Sequence, residues 1–352
     1  MDKIVQGSIE LLKNLISRPS FSKEEDKTAE TIDNYLQSWG VDTQRELNNV
    51  WAFNKYYDSS KPTILLNSHH DTVHPNKDYT RDPFHAEIID GKLFGLGSND
   101  AGGCLVSLIG TFLHYYDNQD LKYNLVIAAT AEEEISGLHG LEFVVPKLGD
   151  LEFAIVGEPT QMHLAIAEKG LMVLECKAPG KSGHAAREEG ENAIYNAMKD
   201  IAWFQSYQFP KQSEMFGPIK MSVTMINAGT QHNVVPSSCD FVVDVRITDA
   251  YTNEEVLNII NEYTISEIHP RSTRLKPSSI DINHPFVQAG ISLGRTTYGS
   301  PTTSDQALLT IPSLKLGPGD SARSHTADEF IYVNEIEEGI PLYIRILDQI
   351  VL

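Results

Sequence analysis

The chain predicts an α/β protein: a mostly parallel sheet with helices on both faces, interrupted by an inserted α+β domain with an antiparallel sheet. Three observations carry this. Short, uniformly apolar strand-like runs alternate with helical ones through the first part of the chain. Near Glu168 the pattern changes to strands that alternate apolar with polar residues, and after about Asp281 the first pattern returns. At 352 residues the chain exceeds one typical domain. The expected division is a discontinuous domain of residues 1–167 and 282–352, with residues 168–281 inserted.

Two helices open the first domain. Ile4, Ile9, Leu12 and Ile16 form an apolar stripe in the first. In the second, Ala29, Ile32, Leu36 and Trp39 form the buried face, and Ser22 with Glu25 reads as a capping box. Residues 62–67, 123–129 and 153–156 are short apolar strands, with helices expected over 102–116 and 137–148. Apolar strands joined by helical crossovers make a parallel sheet covered on both faces, and such sheets gather ligands at the carboxyl ends of their strands. In the insert, strands over 171–177, 220–226 and 239–247 alternate in polarity, with helices over 191–207 and 253–265. A helix over 335–350 closes the chain.

Composition excludes several classes. The formal net charge is -20, a field that repels phosphate backbones, and no basic run offsets it, so no nucleic-acid partner is expected. No segment reaches the roughly 20 apolar residues of a membrane span, and residues 1–17 lack the basic start and apolar stretch of a signal peptide. Cys104, Cys176 and Cys239 are widely spaced without a CxxC, and read as reduced core residues of a cytoplasmic protein.

Five short motifs place metal-ligand residue types after strand-like runs or in glycine-rich loops: Ser68-His69-His70-Asp71, Asn99-Asp100, Glu132-Glu133-Glu134, Gly157-Glu158-Pro159 and Ser324-His325-Thr326. His69 and Asp71 share a face of an extended segment, so the aspartate is placed to hold the histidine's second ring nitrogen; His70 points away. Asp100 reads either as a carboxylate bridging two metals or as the N-cap of the following helix. The glutamate run is either an exposed acidic turn or a ligand beside a general base. Glu158 is a ligand or a turn residue before proline, and His325 a ligand or a surface histidine. Taken together and in order, the set suits two zinc ions with a general base beside them, and hence hydrolysis of an amide or peptide bond.

With these residues in hand, the whole chain resembles the co-catalytic zinc deacylases and exopeptidases, the family of acetylornithine deacetylase and succinyl-diaminopimelate desuccinylase. The resemblance implies two Zn2+ ions, with Co2+ as a substitute. His69 and Glu158 would bind one ion and Glu134 and His325 the other, with Asp100 bridging and its peptide to Ala101 cis. Asp71 would orient His69, and Glu133 would be the base that deprotonates the shared water and then protonates the leaving amine. In the insert, Gly183-His184-Ala185 matches the lid histidine that steadies the oxyanion from a partner subunit, implying a homodimer through this domain. Asn233 and Arg246 fall in segments that resemble those holding the substrate carboxylate, and Thr303 in one that resembles the loop closing over the substrate. On residue evidence alone His184 also reads as a loop histidine and Arg246 as a strand-surface ion pair. Ala101-Gly102, Glu132 and His74 depart from the family's usual residues without removing a ligand. The implied substrate is a small N-acyl amino acid, N-acetylornithine of arginine biosynthesis first. N-acetylcitrulline, N-succinyl amino acids, succinyl-diaminopimelate and dipeptides are the alternatives, and a non-catalytic binding protein is the reading from another class.

Overall fold

The two faces of the strand Thr63–His69 show how its unit is layered. Ile64 and Leu66 enter one hydrophobic cluster and Leu65 enters another on the opposite face. The strands Asn124–Thr130 and Leu151–Val156 divide their side chains in the same way. All seven residues of Thr63–His69 are buried, as expected of a parallel strand covered on both faces.

The computed structural model describes residues 1–352. The chain divides into two units, one of Met1–Ala167, Ser279–Tyr298 and Ser304–Leu352, the other of Glu168–Ser278 and Gly299–Thr303. The short return of Gly299–Thr303 lies outside a linear boundary at residue 282. It is tied in by Lys169, whose N–H donates to Ser300 and whose carbonyl accepts from the Thr303 hydroxyl.

In the first unit the strands Asn49–Phe53, Asn124–Thr130, Thr63–His69, Leu151–Val156 and Ser313–Lys315 lie side by side in that order. The last four of these run parallel. Their carboxyl ends therefore share one edge. The larger cluster is roofed by the helices Asp2–Ile16, Asp26–Ser38, Gly103–Tyr115 and Val333–Val351, through residues such as Leu12, Ile32, Phe112 and Ile340. Trp51, Leu65, Val126, Leu141, Val144 and Val156 form the other cluster.

Two expectations need correction. Over 137–148 only Leu141–Val144 is α-helical, followed by a tight turn at Val145–Lys147. Pro146 cannot donate to a helix, and a Cβ at Gly140 would lie 2.1 Å from the Ala131 carbonyl, so this segment folds back on the preceding loop. Asn49 holds the fold-back: its Nδ2 donates to the His139 carbonyl at 2.7 Å and its Oδ1 accepts from Ala131 N–H. Ser22 and Glu25 do not form a capping box either. The helix Asp26–Ser38 has no side-chain N-cap, because both groups are engaged elsewhere, as described below.

The second unit is a four-stranded antiparallel sheet in the order Lys220–Ala228, Ser238–Ile247, Gly170–Pro179 and Glu267–Pro270. Met172, Leu174, Cys176 and Ala178 point alternately into a core shared with the helices Ala193–Ser206 and Asn253–Tyr263. Thr252 and Glu255 make a reciprocal capping box on the second helix. No helix of the chain is long and apolar enough to cross a membrane.

Candidate metal centre

Strand register brings the candidate ligands together. His69 is the last residue of its strand, Glu133 and Glu134 follow Asn124–Thr130, and Glu158 follows Leu151–Val156. Gly157 permits a close approach there, since a Cβ would stand 2.9 Å from that of Ser68. Asp100 arrives on the turn through Gly97, whose φ of 73° favours glycine. The Asp100–Ala101 peptide is cis. His325 comes from a loop that follows the strand Ser313–Lys315.

Asp100 lies between the two histidines. Its Oδ1 is 3.4 Å from His69 Nε2 and its Oδ2 is 3.7 Å from His325 Nε2. On one side, Glu158 Oε1 and Glu133 Oε2 each lie 3.9 Å from His69 Nε2. On the other, Glu134 brings both carboxylate oxygens to His325 Nε2, at 3.1 and 3.2 Å. Donor atoms of His69, Asp100 and Glu134 all fall within 4.8 Å of one another, so the two halves are contiguous.

Asp71 lies beside His69 Nδ1, as expected, and does more than face that ring. The closest partner of His69 Nδ1 is the Asp71 backbone carbonyl at 3.0 Å; the carboxylate is 3.4 Å away. That carboxylate also accepts from the N–H groups of Glu133 and Glu134, at 3.0 and 3.1 Å, and from the Ser22 hydroxyl at 2.6 Å. Asp71 thus fixes the tautomer of His69 through its backbone and the glutamate turn through its side chain. Glu25, fully buried, accepts from Glu132 N–H, Lys23 N–H and Asn48 Nδ2. Ser22 and Glu25 are supporting residues that the sequence did not reveal, because a serine and a glutamate before a helix resemble a cap. His70 is buried between Thr28 and the Asn48 carbonyl, and burial lowers its pKa to about 4, so it stays a neutral structural residue.

The residues fit a cation. With Nδ1 donating to a carbonyl, His69 presents its Nε2 lone pair, and this buried atom has no hydrogen-bond partner. It faces the oxygens of Asp100, Glu133 and Glu158, an arrangement that is repulsive unless a positive charge lies among them. Ligands bound at about 2.0–2.1 Å around a tetrahedral ion stand roughly 3.3 Å apart, close to the separations seen. Without an ion, protons take its place. Burial pulls the His69 pKa down, but Glu133, Asp100 and Asp71 outweigh it and hold the imidazole well above its usual range. The hydrogen bond to Glu134 raises His325 to about 9. Burial, then Asp100, raises Glu158 to about 8, and burial drives Glu133 well above the usual carboxylate range.

In the second unit the expected residues fall into two groups. His184 is exposed on a short ladder with Val234; its Nδ1 accepts from Ala186 N–H, which leaves Nε2 as the outward donor. The Asn233 carbonyl accepts from Ala185 N–H and its side chain is exposed. Arg246 is clasped by Asp244 through Nε at 2.8 Å and Nη2 at 3.1 Å, while Nη1 reaches Thr303 Oγ1 at 3.5 Å. The strand ion pair is therefore present, and the end-on edge of the guanidinium remains for a further acceptor.

These protonation states have a measurable consequence. His325 and Glu158, raised to about 9 and about 8, carry protons at pH 7 in the ion-free fold, and the carboxylates around His69 hold its imidazole well above its usual range, so metal uptake displaces protons. Calorimetric zinc titrations in buffers of differing ionisation enthalpy should show net proton release, with affinity rising between about pH 6 and pH 9. The same groups bind more protons folded than unfolded, so ion-free stability should fall as pH rises through about 8 to 9. A pH-independent affinity would contradict this electrostatic picture.

Comparison with known proteins agrees with this geometry. The profile of "Peptidase family M20/M25/M40" matches residues 65–349. Acetylornithine deacetylase of Proteus mirabilis (strain HI4320) is 29% identical over 363 residues, covering 94% of this chain and 93% of that protein. The protein of the same name from Photorhabdus laumondii is 27% identical over 381 residues, covering 97% and 96%. Among solved structures, aminopeptidase PepT from Bacillus cereus superposes with a TM-score of 0.79 at 18% identity, covering 98% of each chain. A dinuclear metal-binding M20 peptidase from Bacillus subtilis gives 0.72 at 17% identity, again covering 98% of each. The matched span contains every ligand position described above, and the chain belongs to peptidase family M20/M25/M40, a family of metal-dependent hydrolases.

Proposed function

We propose that this protein is a di-zinc amidohydrolase that removes an N-acyl group from an amino acid, with N-acetylornithine as the first candidate substrate. The observation that carries the reading is Asp100 with a histidine Nε2 facing each of its oxygens and Glu133 standing alongside. His69 and Glu158 would hold one ion, Glu134 and His325 the other, and Asp100 would bridge them; Co2+ is the expected substitute. Such ions polarise the acyl carbonyl and lower the pKa of water toward ~7.

The chain's own groups supply the proton transfers. Glu133 is held by its backbone on Asp71, and its carboxylate stands 3.9 Å from His69 Nε2, beyond hydrogen-bond reach of that ring. It takes the proton of the attacking water as the C–O bond forms and the carbonyl π electrons move to oxygen, and passes that proton to the leaving amine nitrogen as the carbonyl re-forms and the C–N bond breaks. The Nε2–H of His184, supplied by a partner subunit of a homodimer, steadies the tetrahedral oxyanion. The free edge of Arg246 receives the substrate carboxylate, with Asp244 and Thr303 holding the guanidinium, and Asn233 contributes to the same pocket.

The substrate assignment follows the curated relatives, which carry the name acetylornithine deacetylase at 27–29% identity over nearly their full length. On this reading the protein would act in arginine biosynthesis. Three free, buried cysteines suit a cytoplasmic setting. Peptide cleavage is the second reading, favoured by a fold shared with an aminopeptidase and a carboxypeptidase.

Amine release from a panel of N-acetyl and N-succinyl amino acids and dipeptides, before and after chelation and zinc restoration, tests the reaction class. Zinc-dependent cleavage of an N-acetyl amino acid is expected, and Glu133→Gln should retain both ions while losing at least ~10²–10⁴-fold in turnover. Normal turnover in that variant would sink the mechanism; cleavage of dipeptides alone would replace the deacylase by a peptidase. Sedimentation at micromolar concentration should show a dimer, whereas a monomer with full activity would remove His184 from a partner's site.

A further inference from the structure

The two sides of the metal centre are built on unequal foundations. His69 and Glu158 stand at the ends of adjacent central strands, locked by the sheet. His325 stands in a loop, its side chain 54% exposed, with no strand directly beneath it. Two buried side chains outside the ligand set join that loop to the turn that carries Asp100.

Glu329 is the first. It is 2% exposed and lies four residues beyond His325. Its Oε1 accepts from Asn99 N–H at 2.8 Å and Asp100 N–H at 2.9 Å, and its Oε2 from Gly97 N–H at 3.1 Å. Its backbone carbonyl accepts from Gly95 N–H. Asn99, fully buried, clasps the other end of the loop: Nδ2 donates to the Asp320 carbonyl at 3.0 Å and to Ser324 Oγ at 3.4 Å, while Oδ1 accepts from Asp320 N–H at 3.0 Å. The Asp100 turn is thus held from 329, and the loop is held back by 99, with His325 between the two anchor points.

We propose that Glu329 is a positioning residue which, together with Asn99, sets the separation of Asp100 from His325 and so determines how tightly the ion on the His325–Glu134 side is held. The inference rests on the paired-metal reading of the same site. Its physical basis is that three N–H groups of one buried turn converge on a single carboxylate, and removing it leaves those donors unpaired and the turn free to shift. The His69–Glu158 side shares only Asp100 with this clasp, and His69 and Glu158 themselves stand on adjacent central strands that the clasp does not touch. Outer-shell partners of this kind tune metal affinity by about 10–100-fold.

The test is zinc titration of the ion-free protein, followed by calorimetry with a competing chelator, in wild type, Glu329→Gln, Glu329→Ala and Asn99→Ala. Wild type should bind two ions. Glu329→Ala should weaken one site tenfold or more and leave the other within about threefold. Glu329→Gln should fall between, because its amide oxygen can keep the Asn99 and Asp100 donors while its NH2 opposes the backbone N–H of Gly97. Asn99→Ala should weaken the same site from the other anchor, and this variant carries the test if Glu329→Ala does not fold. Equal weakening of both sites in every variant, as general destabilisation would produce, overturns the inference, and so do unchanged affinities. A wild type that binds fewer than two ions overturns the paired-metal reading and this inference together. A wild type with two ions and variants without selective loss overturns the inference alone.

Discussion

The buried Nε2 of His69 is the constraint around which the site is organised. An imidazole nitrogen with no hydrogen-bond partner, facing the oxygens of Asp100, Glu133 and Glu158, is tolerable only with positive charge among those groups, supplied by a metal ion or by a proton on the ring. The rest of the site keeps that nitrogen and those oxygens from escaping one another. The strand fixes His69, the Asp71 carbonyl fixes its tautomer, and the Asp71 carboxylate fixes the turn that carries Glu133 and Glu134. Asp71 thereby couples the orientation of a ligand to the placement of the base through one residue.

The sheet makes this arrangement economical. Three adjacent parallel strands end on one edge, so ligands distant in the sequence, from His69 to Glu158, meet without long loops. The side of the site that lacks a strand beneath it is tied down by side chains, through Glu329 and Asn99 on the Asp100 turn and through Arg323, whose guanidinium forks onto Glu335 of the last helix at 2.6 and 2.9 Å. Backbone geometry positions one half of the centre and buried polar contacts position the other.

Much of this was legible in the sequence where a single period governed. The uniform apolar runs announced Thr63–His69 and Asn124–Thr130, and the polar alternation announced Gly170–Pro179. The ligand types were legible because histidines and carboxylates after apolar strands have few structural uses. What periodicity does not encode was lost. Over 137–148 the apolar spacing suggested a helix, yet Gly140 and Pro146 shortened it and Asn49, remote in sequence, captured its first turn. Ser22 and Glu25 carried a local signature of capping but are used in tertiary contacts with Asp71 and Glu132. Glu329 gave no signal, because a carboxylate that serves the backbone of a distant turn looks like any other acidic residue in a chain with 48 of them.

Diffraction from zinc-grown crystals at the zinc absorption edge addresses the central claim most directly. The account predicts two anomalous peaks, one beside each oxygen of Asp100, the first within bonding distance of His69 and Glu158 and the second of His325 and Glu134. A single peak, or two peaks with Asp100 bound to neither, would contradict it.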